Sequence, residues 1–398
     1  MSLTDSLPNP PLDTQIELFF QNDPFYQELS RCILQAQSEI LMEYYIFDMD
    51  SLGIEILDSL ANAVRRGVRV QLLVDGVGSF GSIDPLATFC QKNGIEFRVF
   101  HKLSRLFLGS FFLRYWNLKQ NFLRFAAHAN QRNHRKLTVI DGHFVFLGSQ
   151  NITLFHSEKW RQALAWRDTG AKISFQSSMA SNENVDPEIQ FLKRSMNEVW
   201  SRTFIYRRPF LLGLRTPFPK SIFRLNSRLL WRRNNLRRLL QRIRFAEKRI
   251  LITNAYFLPG YALLRSLKRA SKRGVKVVLL VPAKSDVWAL QQASRSLYKG
   301  LLEAGVEIYE FLPRVLHAKS LIIDDYALVG SHNFNHRSFV HDLEVDLEIK
   351  NPEVLEQLVE QWTVDISKSE KIGSEWLKSW NWLNHLIGRW TYLFRYWM

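Results

Sequence analysis

Two short stretches carry residue types suited to phosphate chemistry. His134-Arg135-Lys136-Leu137-Thr138-Val139-Ile140-Asp141 and His317-Ala318-Lys319-Ser320-Leu321-Ile322-Ile323-Asp324 share the pattern His-x-Lys-x4-Asp. An imidazole can serve as nucleophile or as acid and base near neutral pH, and an ammonium beside it can neutralise an anion. On a strand, side chains two apart project to one face, so each His–Lys pair addresses a single anionic group. Each motif is followed by a hydrophobic stretch and a Gly-Ser-x-Asn turn, Gly148-Ser149-Gln150-Asn151 and Gly330-Ser331-His332-Asn333. The hydroxyl and amide donors of Ser149, Asn151, Ser331 and Asn333 suit phosphate oxygens.

Farther on, aligning Ile173 with Ile349 sets Asp168 opposite Glu344. A carboxylate there can orient the histidine by accepting its other ring N–H. Asp141 and Asp324 lie an odd number of positions from their histidines and face away on a regular strand, so they read as supports for neighbouring strands or loops, not as reacting acids. His332, His336, Arg337 and His341 crowd the second motif; surface or packing roles suit them better than direct substrate contact, and a metal site suits them least, because a matching acidic ligand pattern is missing.

The elements that must position these groups are duplicated as well. Arg65-Arg66-Gly67-Val68-Arg69-Val70-Gln71-Leu72-Leu73-Val74 returns as Lys272-Arg273-Gly274-Val275-Lys276-Val277-Val278-Leu279-Leu280-Val281. Both read as a helix ending at a glycine, then a buried strand. Ile40–Phe47 is echoed by Ile250–Phe257, and Gly94-Ile95-Glu96 by Gly305-Val306-Glu307. Strand, helix, strand, short helix, strand in both halves predicts an α/β layered domain in each. The expected boundaries are 1–200 for the first domain, 201–245 for a basic linker and helix, 246–370 for the second domain and 371–398 for an amphipathic tail. An insert at 101–130 interrupts the first half with aromatic and basic residues and no acid. The tail sets Trp376, Trp380, Leu383, Ile387, Trp390, Phe394 and Trp397 along one helical face. Aromatic rings mixed with cations suit the headgroup region of a bilayer.

The 398 residues carry 53 Lys and Arg against 38 Asp and Glu, a net charge of +15, which suggests a polyanionic partner. The 46% hydrophobic content excludes a disordered or collagen-like chain. Cys32 and Cys90 are the two cysteines, too few for a disulfide framework or a thiolate metal site. Neither a signal-peptide pattern nor an apolar run long enough to span a bilayer is expected from the sequence.

Two copies of His-x-Lys-x4-Asp at corresponding places of a duplication resemble the phospholipase D superfamily. Asn254-Ala255-Tyr256-Phe257-Leu258-Pro259-Gly260-Tyr261, Leu316-His317-Ala318-Lys319 and Gly330-Ser331-His332-Asn333-Phe334 look like its bacterial cardiolipin synthase branch, particularly members without N-terminal spanning helices. The resemblance implies two α/β/α sandwiches related by a pseudo-twofold, with both His–Lys pairs meeting at one site. It implies a two-step transfer through a phosphohistidine, with His134 as nucleophile, and no metal or other cofactor. The lysines and asparagines would neutralise the phosphoryl oxygens. The implied partners are an anionic phospholipid and the membrane surface, peripherally on the bacterial cytoplasmic membrane. The superfamily also holds hydrolases and nucleases; a nucleic-acid substrate is disfavoured because aromatic clusters accompany the excess basic residues, where a nonspecific nuclease needs mainly a basic groove. Since the chemistry needs two histidines and each repeat supplies one His–Lys pair, His134→Ala and His317→Ala are each expected to lower turnover by about a thousandfold or more. Near-normal rates in either single variant would refute a shared site.

Overall fold

The two halves of the chain form two sheets with one strand order. The computed structural model describes residues 14–101, 131–175, 186–202, 221–373 and 375. Residues 102–130 of the insert and the tail residues Trp376 to Trp397 lie outside the described residues. In the first sheet β1 (Thr14–Phe19), β7 (Gly170–Phe175), β6 (Phe144–Gly148), β5 (Lys136–Ile140), β2 (Glu39–Tyr44), β3 (Arg69–Asp75) and β4 (Glu96–Phe100) lie side by side in that order. The second repeats it with β8 (Phe223–Leu225), β14 (Val345–Ile349), β13 (Tyr326–Gly330), β12 (Ser320–Ile323), β9 (Arg249–Thr253), β10 (Lys276–Pro282) and β11 (Glu307–Phe311), and adds β15 (Ser369–Lys371) at the far edge. Strands β2, β3 and β4 pair in parallel, as do β9, β10 and β11, whereas the motif strands β5 and β12 run antiparallel to β2 and β9.

Helical periodicity explains the layers between them. Helix α2 (Ser51–Arg65) buries Leu52, Ile56, Leu57 and Leu60, positions spaced for one face. It starts where the Asp50 carboxylate accepts from Gly53 N at 3.0 Å, and the chain turns out of it at Gly67, whose φ of 91° favours glycine. Gly274 does the same in the second half, with φ 94°. Together α1 (Asn22–Gln35), α2 and α3 (Ile83–Lys92) cover the outer face of the first sheet. The inner faces of β5–β7 and β12–β14 meet in a shared apolar layer that includes Leu137, Val139, Val145, Ile322, Val329 and Leu347. Continuous apolar runs in these strands are what two-sided burial requires.

The basic stretch at 201–245 is not a linker throughout. Its residues 203–220 lie outside the described residues, but β8 pairs with β14 and the helix Leu229–Phe245 buries Leu239 and Ile243 on the second sheet. These residues therefore complete the second domain. A strand of three residues and an arginine-rich helix gave too little apolar pattern to place them in a core.

Asp141 and Asp324 sit in the hairpin turns after β5 and β12, not on the strands, with φ of 52° and 50°. Asp141 accepts from the backbone N–H of Gln37, Ser38 and Glu39 at 2.8–3.0 Å, and Asp324 from Glu247, Lys248 and Arg249 at 2.9 Å. Each pins the approach to the neighbouring strand, β2 or β9. Although burial alone raises both carboxyls, these backbone donors hold them below the ordinary 3.8. Their stabilisation is fully present above that value and is lost as pH falls through the depressed one. Asp324→Ala is expected to lower stability by roughly 1–3 kcal/mol, nearer the lower figure for a partly exposed group, while leaving turnover at low temperature within about twofold. Urea unfolding and initial rates measured on one preparation check both halves of that statement.

Candidate active site

Both histidines lie just before their strands, not on them, because the chain there bonds to the other half. His134 N donates to Leu343 O at 2.9 Å and Leu343 N to Arg132 O at 2.8 Å; His317 N donates to Arg167 O at 2.8 Å and Arg167 N to Val315 O at 2.8 Å. Each is an isolated parallel bridge, Asn133 with Leu343 and Leu316 with Arg167. The residue after each bridge partner is a carboxylate, Glu344 or Asp168. The orienting pairs therefore cross between the halves. His134 Nδ1 lies 3.0 Å from Glu344 Oε2, and His317 Nδ1 lies 2.7 Å from Asp168 Oδ1. Alignment of repeats identifies the carboxylates but carries no information about which histidine each one faces.

A carboxylate at Nδ1 fixes the ring tautomer and leaves Nε2 with its lone pair for reaction. The lysines complete each pair: Lys136 Nζ donates to His134 O at 2.8 Å and Lys319 Nζ to His317 O at 2.7 Å. Both ammonium groups are almost wholly buried. Burial pushes His134 well below its ordinary 6.5, with the charges of Lys136 and Lys319 adding to it. Burial and Lys319 also push His317 down, but Asp168 opposes them. Burial depresses Lys136 strongly and takes Lys319 down to about 8, against the pull of Asp168 and Glu344.

The serines are engaged otherwise than the spacing suggests. Ser149 Oγ donates to Asp168 Oδ1 at 2.7 Å and accepts from Thr169 N at 3.1 Å; Ser331 Oγ donates to Glu344 Oε2 and accepts from Val345 N at 3.0 Å. One hydroxyl has one proton, so these serines hold the carboxylates and are not phosphate donors. Asn151 uses Oδ1 to accept from Ile46 N at 3.2 Å. Asn333 is buried, and its Oδ1 has no hydrogen-bond partner among the described residues. Near the second motif, His332 faces Asp346 at 3.5 Å and Arg337 pairs with Asp342 at 3.0 Å.

Sequence reasoning missed His156. It is wholly buried, and its Nδ1 lies 2.6 Å from Asp168 Oδ2, so that one carboxylate serves two imidazoles. Burial alone raises Asp168, yet His156 and His317 hold it well below the usual carboxylate range. In the second repeat Ser338 takes the equivalent place beside Glu344, whose carboxyl is pushed up by burial. A clue was present, since His156 and Ser338 lie at the same distance after Ser149 and Ser331. Aromatic walls were missed too. Tyr45 lies 4.9 Å from the His134 ring, and Trp166 and Tyr256 lie 5.1 and 6.3 Å from that of His317. Tyr45 and Tyr256 were hidden in segments that read as ordinary strand ends.

Among the described residues, ligand atoms of His156, Asp168 and His317 come within 4.8 Å of one another, close enough to consider a cation. Both Nδ1 atoms are engaged with the carboxylate, and two buried lysines stand nearby, so this donor set fits a hydrogen-bonded triad better than a metal.

Two α/β domains whose duplicated His–Lys pairs meet across their interface define a class of phosphodiester-directed proteins, and comparison with known proteins narrows it. Residues 29–159 and 239–365 match the family described as cardiolipin synthase, PLD-like domain. The chain belongs to this family. It is 30% identical over 348 residues to cardiolipin synthase B of Salmonella typhimurium, covering 84% of this chain and 76% of that one. It is also 30% identical to a cardiolipin synthase of Clostridium perfringens over 369 residues, or 90% and 72% of the two chains. Phosphatidylserine synthase of Haemophilus influenzae, at 14% identity, shares the fold with a TM-score of 0.63 over 96% and 95% of the chains.

Two imidazoles and two ammonium groups with depressed proton affinity face a common centre, and an anion bound there must raise it again. Binding of orthovanadate is therefore expected to take up protons and to weaken as pH rises through about 8, where Lys319 loses its charge. Calorimetry in two buffers of different ionisation enthalpy measures the uptake; equal heats in both would mean that the lysines are charged throughout.

Proposed function

We propose that this protein is a phosphatidyltransferase that makes cardiolipin from phosphatidylglycerol through a phosphohistidine. The observation that carries the reading is the pair of imidazoles, each held at Nδ1 by a carboxylate of the other half and each beside a buried lysine. Similarity to cardiolipin synthases over most of the chain supports the substrate class.

In the first step Nε2 of one histidine attacks phosphorus, and the bond from phosphorus to the glycerol oxygen breaks. The second histidine, as imidazolium, gives that oxygen its proton. A hydroxyl of a second phosphatidylglycerol then returns a proton to the second histidine, and its oxygen displaces the first imidazole. Two phosphatidylglycerols become one cardiolipin and one glycerol. Lys136 and Lys319 neutralise the oxygens on which charge grows.

The two histidines are unequal. Burial lowers both rings and a carboxylate opposes it at each, but Asp168, held anionic, opposes it at His317 more than Glu344, itself pushed up by burial, does at His134. This supports His134 as nucleophile and His317 as acid and base. Asn151 and Asn333 are proposed as further contacts to phosphoryl oxygens. Among the described residues no helix is long and apolar enough to cross a membrane. The aromatic and basic insert and tail of the sequence support a peripheral seat on the bacterial cytoplasmic membrane.

Incubating the protein with phosphatidylglycerol vesicles in the presence of a metal chelator is expected to yield cardiolipin and free glycerol in equal amounts. Phosphatidic acid as the main product would make the protein a hydrolase. Cleavage of DNA without lipid turnover would assign it to the nucleases.

A further inference from the structure

The repeats differ on the outer face of the sheets, beside the motif strands. In the first half that face is filled with aromatic rings. Phe25 of α1 packs edge-on against Phe19 and Phe146, at 5.6 and 5.7 Å, and its ring atoms come within 2.7 Å of where a Cβ on Gly170 would stand. The register pairs Phe19 and Gly148 with Gly170.

In the second half the same register pairs Arg224 and Gly330 with Asp346. The helix above is superposable by its anchors: Arg66 donates to Ile33 O and Ala36 O, and Arg273 donates to Ile243 O and Ala246 O. That correspondence sets Asn235 where Phe25 stands. Phe19, Phe25 and Gly170 are thus replaced by Arg224, Asn235 and Asp346. In place of the aromatic plug is a half-open cleft, with about 40 Å³ of space for the centres of water-sized molecules, lined also by Lys319, His332 and Phe339.

Its polar groups are half used. Arg224 binds Glu348 through Nε, Asn235 donates from Nδ2 to Leu225 O at 3.0 Å, and His332 turns Nδ1 toward Asp346. Among the described residues, Arg224 Nη2, Asn235 Oδ1 and His332 Nε2 are buried without a hydrogen-bond partner, and Arg224 is only 6% exposed. Buried polar atoms left unpaired cost free energy, which a ligand or water filling the cleft recovers. Arg224 is neutralised by Glu348 and His332 by Asp346, so the free atoms offer donors and an acceptor with little net charge. Leu239, Leu321 and Leu328 supply apolar wall. This balance matches a neutral polyhydroxyl group better than an anion. The cleft also touches the reaction centre, because Lys319 lines it while donating to His317 O at 2.7 Å.

We propose that this cleft of the second half seats the glycerol unit of the acceptor alcohol. The inference rests on the transfer reaction proposed above and adds the place where the acceptor is recognised. A glycerol unit can arrive as the headgroup of a second phosphatidylglycerol or as free glycerol in the reverse reaction.

Asn235→Phe rebuilds the plug of the first half, and Asn235→Leu removes the amide at nearly constant size. Both are expected to keep hydrolysis of short-chain phosphatidylglycerol within about twofold, while transfer to a glycerol unit falls by about tenfold. A loss confined to phosphatidylglycerol as acceptor identifies the lipid headgroup; an equal loss with free glycerol means that the glycerol unit itself is read. An unchanged ratio of transfer to hydrolysis in Asn235→Phe, with a normal unfolding transition, overturns the inference. Should that variant fail to fold, an unchanged ratio in Asn235→Leu overturns it equally. Saturation-transfer NMR of glycerol on the wild type and Asn235→Leu separates this inference from the reaction it rests on. Glycerol binding that Asn235→Leu weakens, in a protein without turnover, upholds the cleft and refutes the chemistry; glycerol binding that the variant leaves unchanged refutes the cleft.

Discussion

The arrangement of the molecule hangs on two imidazole–carboxylate hydrogen bonds that cross between its halves. Asp168 and Glu344 are fully buried, and a buried carboxylate costs several kcal/mol unless every lone pair is met. Each accepts from one hydroxyl of its own half, Ser149 or Ser331, and from the histidine of the other; Asp168 also meets His156 of its own half, whereas Glu344 Oε1 has no hydrogen-bond partner among the described residues. In both, one partner comes from across the interface. The short backbone bridges at Asn133–Leu343 and Leu316–Arg167 hold the reciprocal pairs in place, and the apolar layer between β5–β7 and β12–β14 holds the bridges. Duplication and interface are therefore one device.

The same burial sets the electrostatics. Lys136 and Lys319 sit in an interior that disfavours their charge, balanced only in part by Asp168 and Glu344. A phosphodiester entering between them supplies the missing negative charge, so substrate binding and the correct protonation state arise together. Because the groups are held by backbone carbonyls and buried carboxylates, little reorganisation is needed as charge develops on the phosphoryl oxygens.

Departures from symmetry carry as much information as symmetry itself. His156 shares Asp168 with His317, while Ser338 stands in its place beside Glu344. Phe25 plugs the outer face of one sheet, and Asn235 leaves a polar cleft in the other. A reaction with a donor step and an acceptor step has two different alcohols to accommodate, so identical halves would serve it poorly.

The sequence by itself determined the repeated succession of strands and helices along the chain, the layered α/β class and the two His–Lys pairs, since these depend on local periodicity and on residues close together in the chain. Its glycines at 67 and 274 marked the helix ends. What it could not determine was long-range. That Glu344 faces His134 across 210 residues, and Asp168 faces His317 across 149, follows from how the domains dock. That the serines serve those carboxylates, that Asp141 and Asp324 bind the backbone before β2 and β9, and that residues 221–245 finish the second sheet follow likewise from contacts between segments distant in sequence. Spacing along a chain fixes which side chains share a face of one element; which groups they meet is decided only when separate elements exclude water from the same volume.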